Sequence, residues 1–155
     1  GLKYGPSFQT IQEIYVNQAF VLAELKIADS LKGEFGQFIL HPSMIDGALQ
    51  SAAGLVGGLE PATLSLPFAL DEVEIVRPVP QRCYAYAEFA GSREQNYTGV
   101  WTFNIRLLSE RGEVLIRFKN LFARSLAAAE RSSPAPAAAW SAAENRALPR
   151  PAAAQ

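Results

Sequence analysis

A chain of 155 residues with a net charge of −1 has room for one modest hydrophobic core and exerts no electrostatic pull on nucleic acid or an anionic membrane. No apolar run approaches the roughly 20 residues of a membrane span, and no basic-then-apolar leader opens the chain at Gly1-Leu2-Lys3-Tyr4. A single cysteine, Cys83, excludes an internal disulfide and a cysteine-rich metal site, so the expectation is a cytoplasmic protein without a metal.

In chain order, Glu13 to Ala28 reads as extended structure. Ala23, Leu25 and Ile27 alternate with Glu24 and Lys26, and Asn17-Gln18 is the turn before them. A helix is predicted over about 42–56. Pro42 suits its first turn, where a missing N–H costs nothing. Ile45, Ala48, Leu49, Ala52, Leu55 and Val56 recur at helical spacing, and Gly57-Gly58 stops the run. Gly47, Ser51 and Gly54 lie on the other side. Each helical glycine costs roughly 1 kcal/mol relative to alanine, so small residues there imply close packing on that side too. The expectation is a core helix enclosed all round.

After the helix, Val73 and Ile75 alternate with Glu72 and Glu74, and Pro67, Pro78 and Pro80 mark an edge or strand ends. Arg82 to Phe89 alternates again, with Cys83, Ala85 and Ala87 as small inward residues. Trp101, Phe103, Ile105 and Leu107 face one way, and Thr102, Asn104 and Arg106 the other. Glu110-Arg111-Gly112 is a turn, and Val114, Ile116 and Phe118 begin a last strand that runs to about Ser125. From Ala127 to Gln155 the chain is mostly alanine and proline, a composition that cannot offset its own ordering cost and reads as a linker or disordered tail. Residues 1–126 are the domain. The layout is α+β, one long central helix wrapped by a curved antiparallel sheet. A single sheet leaves an edge open, and pairing with a second copy or a sister domain would cover it.

The chemistry concentrates in His41-Pro42-Ser43-Met44-Ile45-Asp46-Gly47-Ala48-Leu49-Gln50. Asp46 and Gln50 are four residues apart, so both side chains leave the helix on one side, at the edge of the apolar stripe. Asp46 near the helix start also gains from the helix dipole, typically about 0.3–1 kcal/mol, whatever else it does. A carboxyl that donates a proton near neutral pH must be held protonated, because free aspartic acid titrates at about 3.9. Apolar surroundings disfavour its charge.

Tyr4-Gly5-Pro6-Ser7-Phe8-Gln9 resembles the YGPxFQ segment, and residues 41–50 the HPxLLDxxxQ motif, of polyketide synthase dehydratase domains. Leu66-Pro67-Phe68 and the Gly112-Glu113-Val114-Leu115 hairpin sit where that family has them. The resemblance covers about residues 4–126. It implies a hot-dog fold, one half of a double hot-dog. It also implies a hydro-lyase that removes water from a β-hydroxyacyl thioester carried on the phosphopantetheine arm of an acyl carrier protein, with no bound cofactor.

By the same resemblance Asp46 protonates the leaving hydroxyl, and Gln50 orients the acid or the hydroxyl. Tyr4, with Gly5 and Pro6, lies at the substrate, as do His41 and Pro42 at the helix start. The family takes the α-proton with a histidine from an HxxxGxxxxP motif in the first half, which this sequence lacks. His41, its only histidine, is expected to bond nearby backbone. The chain is therefore expected to be the C-terminal half, inactive alone. Its implied partners are an N-terminal half on the same or another polypeptide, an acyl carrier protein, neighbouring synthase domains and, failing these, a second copy of itself. Arg77, Arg82, Arg106 and Arg111 are candidates to meet an acidic carrier. Alternatives within the fold are a double-bond shift, a pyran-forming cyclisation, a branching addition, a product-template cyclisation or a docking half with no chemistry.

Overall fold

The computed structural model describes residues 3–56, 65–91 and 100–125. The expected tail, residues 127–155, and the Gly57-Gly58 helix stop lie outside the described residues. Strands β1 (Ile11–Val16) and β2 (Phe20–Lys26) precede helix α1 (Pro42–Val56), and β3 (Ser65–Ile75), β4 (Arg82–Phe89), β5 (Val100–Leu108) and β6 (Val114–Ser125) follow it. All pairings are antiparallel, in the spatial order β1-β2-β4-β5-β6-β3. A long helix on a curved antiparallel sheet is the hot-dog arrangement, and the class is α+β.

The alternation in the sequence sets which face each strand presents. Val21, Ala23 and Leu25 of β2 lie opposite Ala87, Ala85 and Cys83 of β4, and Ala85 and Ala87 lie opposite Leu107 and Ile105 of β5. All of these are buried. The small residues of β4 make room for the helix, which packs chiefly on β2 and β4 and also touches β1 and β5. Each large side chain buried there, such as Met44, Leu25 or Ile105, contributes roughly 1.5–3 kcal/mol.

Gly47 is the closest approach. A Cβ there would stand 2.1 Å from Thr10 Oγ1, and Thr10 is wholly buried. A Cβ on Gly54 would stand 3.1–3.4 Å from Val21, Val16 and Ile14. The helical glycines therefore let β1 and β2 lie against the helix backbone, as the small residues imply.

The helix is not enclosed all round. Its buried positions are Ser43, Met44, Gly47, Ala48, Ser51, Ala52, Leu55 and Val56. Ile45, Asp46, Leu49 and Gln50 are half-buried and Ala53 is exposed. Spacings of one, four and five residues make these a single helix face. Periodicity finds the apolar residues correctly but assigns Ile45 and Leu49 to the covered side, whereas the sheet covers the side built on Gly47 and Ser51.

β3 is an edge strand, as its prolines imply, with a register shift between Pro67 and Ala69. Val73 and Ile75 lie opposite buried Phe118 and Ile116, yet they are 42% and 49% exposed because the helix does not reach this end of the sheet. Leu66 and Phe68 are exposed on the same strand, and Ile14, Tyr15 and Val16 are exposed on the opposite edge strand, β1. Both sheet edges thus present apolar side chains.

The turns follow their chemistry. The Asn17 side-chain carbonyl accepts the N–H groups of Ala19 and Phe20 at 2.8 Å each. Gly112, at φ +79°, closes the β5–β6 hairpin in a conformation that favours glycine. Arg77 pairs with Glu113, Arg82 with Glu24 and Glu110, and Arg106 with Glu88 and the Tyr86 ring. These three candidate carrier contacts already hold carboxylates of their own chain. Among the described residues no helix is long and apolar enough to cross a membrane, and no cluster of metal-ligating side chains occurs.

Candidate functional site

The open helix face carries Asp46 and Gln50 one turn apart. Gln50 Nε2 donates to Asp46 Oδ2 at 2.5 Å and to the Phe8 carbonyl at 3.2 Å. An amide nitrogen has two hydrogens, so one side chain serves both acceptors. The second bond spans 42 positions of sequence and ties the N-terminal segment to the helix.

That segment is a short 3-10 turn over Pro6–Phe8, entered through Gly5, with Pro6 at the first helical position. Phe8 N–H donates to the Gly5 carbonyl at 2.9 Å, and Gln9 Nε2 reaches back to the Tyr4 carbonyl at 2.8 Å. The turn sets Tyr4 near Asp46. The phenol is pushed above its ordinary value of 10.0, first by partial burial and then by the negative charge of Asp46. Tyr4, Phe8, Asp46 and Gln50 therefore converge, although Tyr4 and Phe8 are each 39% exposed.

His41 is differently placed. It is 4% exposed, stacked on Phe35 at 5.1 Å and edge-on to Phe38 at 5.0 Å. Its Nδ1 accepts the Ser43 N–H at 3.3 Å, while its carbonyl accepts the N–H groups of Met44 and Ile45. This is helix capping by ring and backbone together, and no hydrogen bond or ring contact joins His41 to Asp46 or Gln50. With Nδ1 accepting, Nε2 carries the proton, and it is buried without a hydrogen-bond partner among the described residues. Pro42 is exposed at the first helical position. Gly5 and Pro6 shape the turn that carries Tyr4.

Sequence reasoning missed two contributors. Thr10 is buried, and its hydroxyl donates to the Ser43 carbonyl at 3.3 Å, which pins the start of β1 to the first turn of α1. The Phe8 carbonyl fixes Gln50. A backbone acceptor has no side-chain signature, and a threonine at a strand start has an ordinary reading, so nothing local marks either. Cys83, read as a small core residue, is buried, and burial pushes its thiol up to about 12. It takes no part in the site.

The arrangement can hold one carboxyl group by one oxygen and keep a phenol near it. Such a site can donate a proton to, or hydrogen-bond, an oxygen brought to the open helix face.

Comparison with known proteins gives the family. Residues 1–133 match the family model described as the polyketide synthase dehydratase N-terminal domain. Polyketide synthases PksM and PksN of Bacillus subtilis (strain 168) are each 36% identical, over 86% and 81% of this chain. The chain spans only 3% and 2% of their lengths.

Among solved structures, a trans-AT polyketide synthase dehydratase domain from Brevibacillus brevis superposes with a TM-score of 0.69 at 32% identity, over 81% of this chain and 43% of that one. The dehydratase domain from the CurF module of curacin polyketide synthase gives a TM-score of 0.69 at 25% identity, over 79% and 41%. The matched segment thus covers less than half of each of these dehydratase domains. A CurK dehydratase described as an inactive mutant, with phenylalanine in place of a histidine, gives a TM-score of 0.69 at 25% identity, over 81% and 42%. A family match across most of the chain and a shared fold place this protein among the polyketide synthase dehydratases.

Proposed function

We propose that this chain is the C-terminal hot-dog half of a dehydratase that removes water from a β-hydroxyacyl thioester on the phosphopantetheine arm of an acyl carrier protein. The observation that carries the proposal is the Asp46–Gln50 pair on the open helix face, with Tyr4 held beside it.

Elimination breaks the Cα–H bond and the Cβ–O bond. A base takes the α-proton, the electron pair forms the α,β double bond, and the leaving hydroxyl takes a proton and departs as water. Asp46 supplies that second proton from the oxygen that Gln50 does not hold. Tyr4 hydrogen-bonds the β-hydroxyl and keeps it near the acid. A carboxyl that donates near neutral pH must be shielded from water, and on this chain only a cover over the half-buried face of Ile45, Asp46, Leu49 and Gln50 would shield it.

The base comes from the first half, which this chain does not include. The CurK dehydratase mutant lacking a histidine is described as inactive, which supports a histidine in this reaction. His41 is an unsuitable base, because its Nδ1 is occupied by a backbone N–H and its ring is enclosed by Phe35 and Phe38. The family model names an N-terminal domain. The order of residues in this chain, a capping histidine followed by the acid and the amide, is that of the second-half motif, and we assign the chain to that half. The matched span, 41–43% of the solved dehydratase domains, fits either half.

The exposed apolar residues of β3 and β1 support a partner at a sheet edge, either the N-terminal half or a second copy. Carrier protein and neighbouring synthase domains complete the expected surroundings. The test is reconstitution: this chain is mixed with a first half carrying the HxxxGxxxxP motif and given a β-hydroxyacyl carrier-protein substrate. Water loss by the mixture, and by neither half alone, is expected. Water loss by this chain alone would remove the need for a first-half base.

A further inference from the structure

The segment from Tyr4 to Thr10 grips the first turns of α1 in two places. The Phe8 carbonyl accepts Gln50 Nε2, and Thr10 Oγ1 donates to the Ser43 carbonyl. Those bonds fix the downstream end of the segment. Upstream, Tyr4 joins the turn through Gly5, whose Cβ direction meets nothing within 4 Å. A glycine in open space is a swivel. Only one hydrogen bond to Tyr4 is found among the described residues, from Gln9 Nε2 to the Tyr4 carbonyl at 2.8 Å.

Gln9 itself is anchored on both sides. Its N–H donates to the Pro6 carbonyl at 3.3 Å, Phe8 precedes it and buried Thr10 follows. Its exposed side chain reaches back across the turn and holds the Tyr4 carbonyl.

We propose that Gln9 is a positioning residue of the site: its side-chain amide pins the Tyr4 main chain and so keeps the phenol near Asp46. With Gln50 it makes residues 4–10 a strap across the acid. Gln50 fixes the acid to the strap, and Gln9 fixes the phenol to it. The proposal rests on the reading of Asp46 and Tyr4 as dehydratase site residues, and its geometry does not depend on that reading.

The test uses Gln9→Met, which keeps the length of the stem, adds no charge and removes both N–H donors. Gln12→Met is the control. It loses a similar bond, Gln12 Nε2 to the Thr10 carbonyl at 3.2 Å, away from Tyr4. In this chain labelled with ring-13C tyrosine, the Tyr4 resonance is assigned by its loss in Tyr4→Phe, and its titration is followed by NMR. In the complete synthase, dehydration kinetics are measured for the same variants.

Gln9→Met is expected to bring the Tyr4 midpoint back toward 10.0 and to lower kcat about tenfold, with KM changed less than about twofold. Gln12→Met is expected to move neither. A Tyr4 midpoint unmoved by Gln9→Met, a midpoint moved equally by Gln12→Met, or an unchanged kcat with a moved midpoint overturns the proposal. If the complete wild-type enzyme removes no water, the dehydratase reading fails, and the Tyr4 titration alone decides whether Gln9 holds the strap.

Discussion

Gln50 Nε2 meets Asp46 Oδ2 at 2.5 Å while it also bonds the Phe8 carbonyl. One amide therefore settles which carboxyl oxygen is held, and a backbone carbonyl 42 residues from Gln50 in sequence holds that amide. Gln50→Met keeps the stem and removes both bonds. It is expected to lower kcat of the complete dehydratase by about tenfold or more and to cost about 1 kcal/mol in urea unfolding. Unchanged kcat would show that Asp46 needs no such support.

The approach of Thr10 to Gly47 sets the height of the helix above the sheet. Gly47→Val would drive a side chain into a hydroxyl 2.1 Å from the Cβ position, with Leu25 at 3.4 Å behind it. Overpacking of this kind costs typically about 1–3 kcal/mol, and a β-branched residue adds little helix propensity in return. Thermal unfolding is expected to show a clear loss for Gly47→Val. Equal stability would mean that β1 can lift away from the helix.

Asn120, in β6, is the one described non-glycine residue at positive φ, 52°. Its N–H donates to Asn104 Oδ1 and its side chain to Asp71 Oδ2, so three neighbouring strands meet at this bulge. Asn120→Ala loses the side-chain bond and keeps a strained backbone, at an expected cost of about 1–2 kcal/mol. Asn120→Gly loses the same bond but relieves the strain and should cost less. Denaturant unfolding of the two variants gives the order, and a glycine variant weaker than the alanine one would refute the backbone argument.

Burial holds the Cys83 thiol up to about 12, against 9.0 for the free group. The unfolded chain therefore loses this proton first. Between about pH 9 and about pH 12 the folded state binds more protons than the unfolded one, so this contribution to stability is complete below pH 9 and falls as the pH rises. Native chain is expected to resist alkylation by iodoacetamide at pH 8 and to lose less stability above pH 9 when Cys83 is replaced by alanine. Rapid native alkylation would show that β4 opens.

Much of this fold is legible in the sequence because alternation is strong where the sheet is covered. β4 matches its expected bounds, β5 begins and ends within one residue of its apolar run, and β6 ends at Ser125. The helix and the close packing at Gly47, Ser51 and Gly54 are also legible, because glycine in a helix has few other causes.

Three features are not. Periodicity marks Ile45 and Leu49 as apolar but cannot say that they are left half-buried at the margin of the core. Val73 and Ile75 alternate like core residues, yet their edge strand lies beyond the helix. The Phe8–Gln50 bond joins distant segments through a backbone oxygen that every residue possesses. The pairing of Asp46 with Gln50 is readable from i, i+4 spacing alone. The strap that aims them is a tertiary fact.

The role proposed for Asp46 as proton donor has a direct test. Asp46→Asn keeps the size of the side chain and its place beside Gln50 while removing the acid. Dehydration of a β-hydroxyacyl carrier-protein substrate by the complete enzyme is the direct measurement, with circular dichroism to establish that the variant is folded. The account predicts a fall in kcat of roughly 10²–10⁴-fold in a folded protein. Turnover within about twofold of wild type would contradict it.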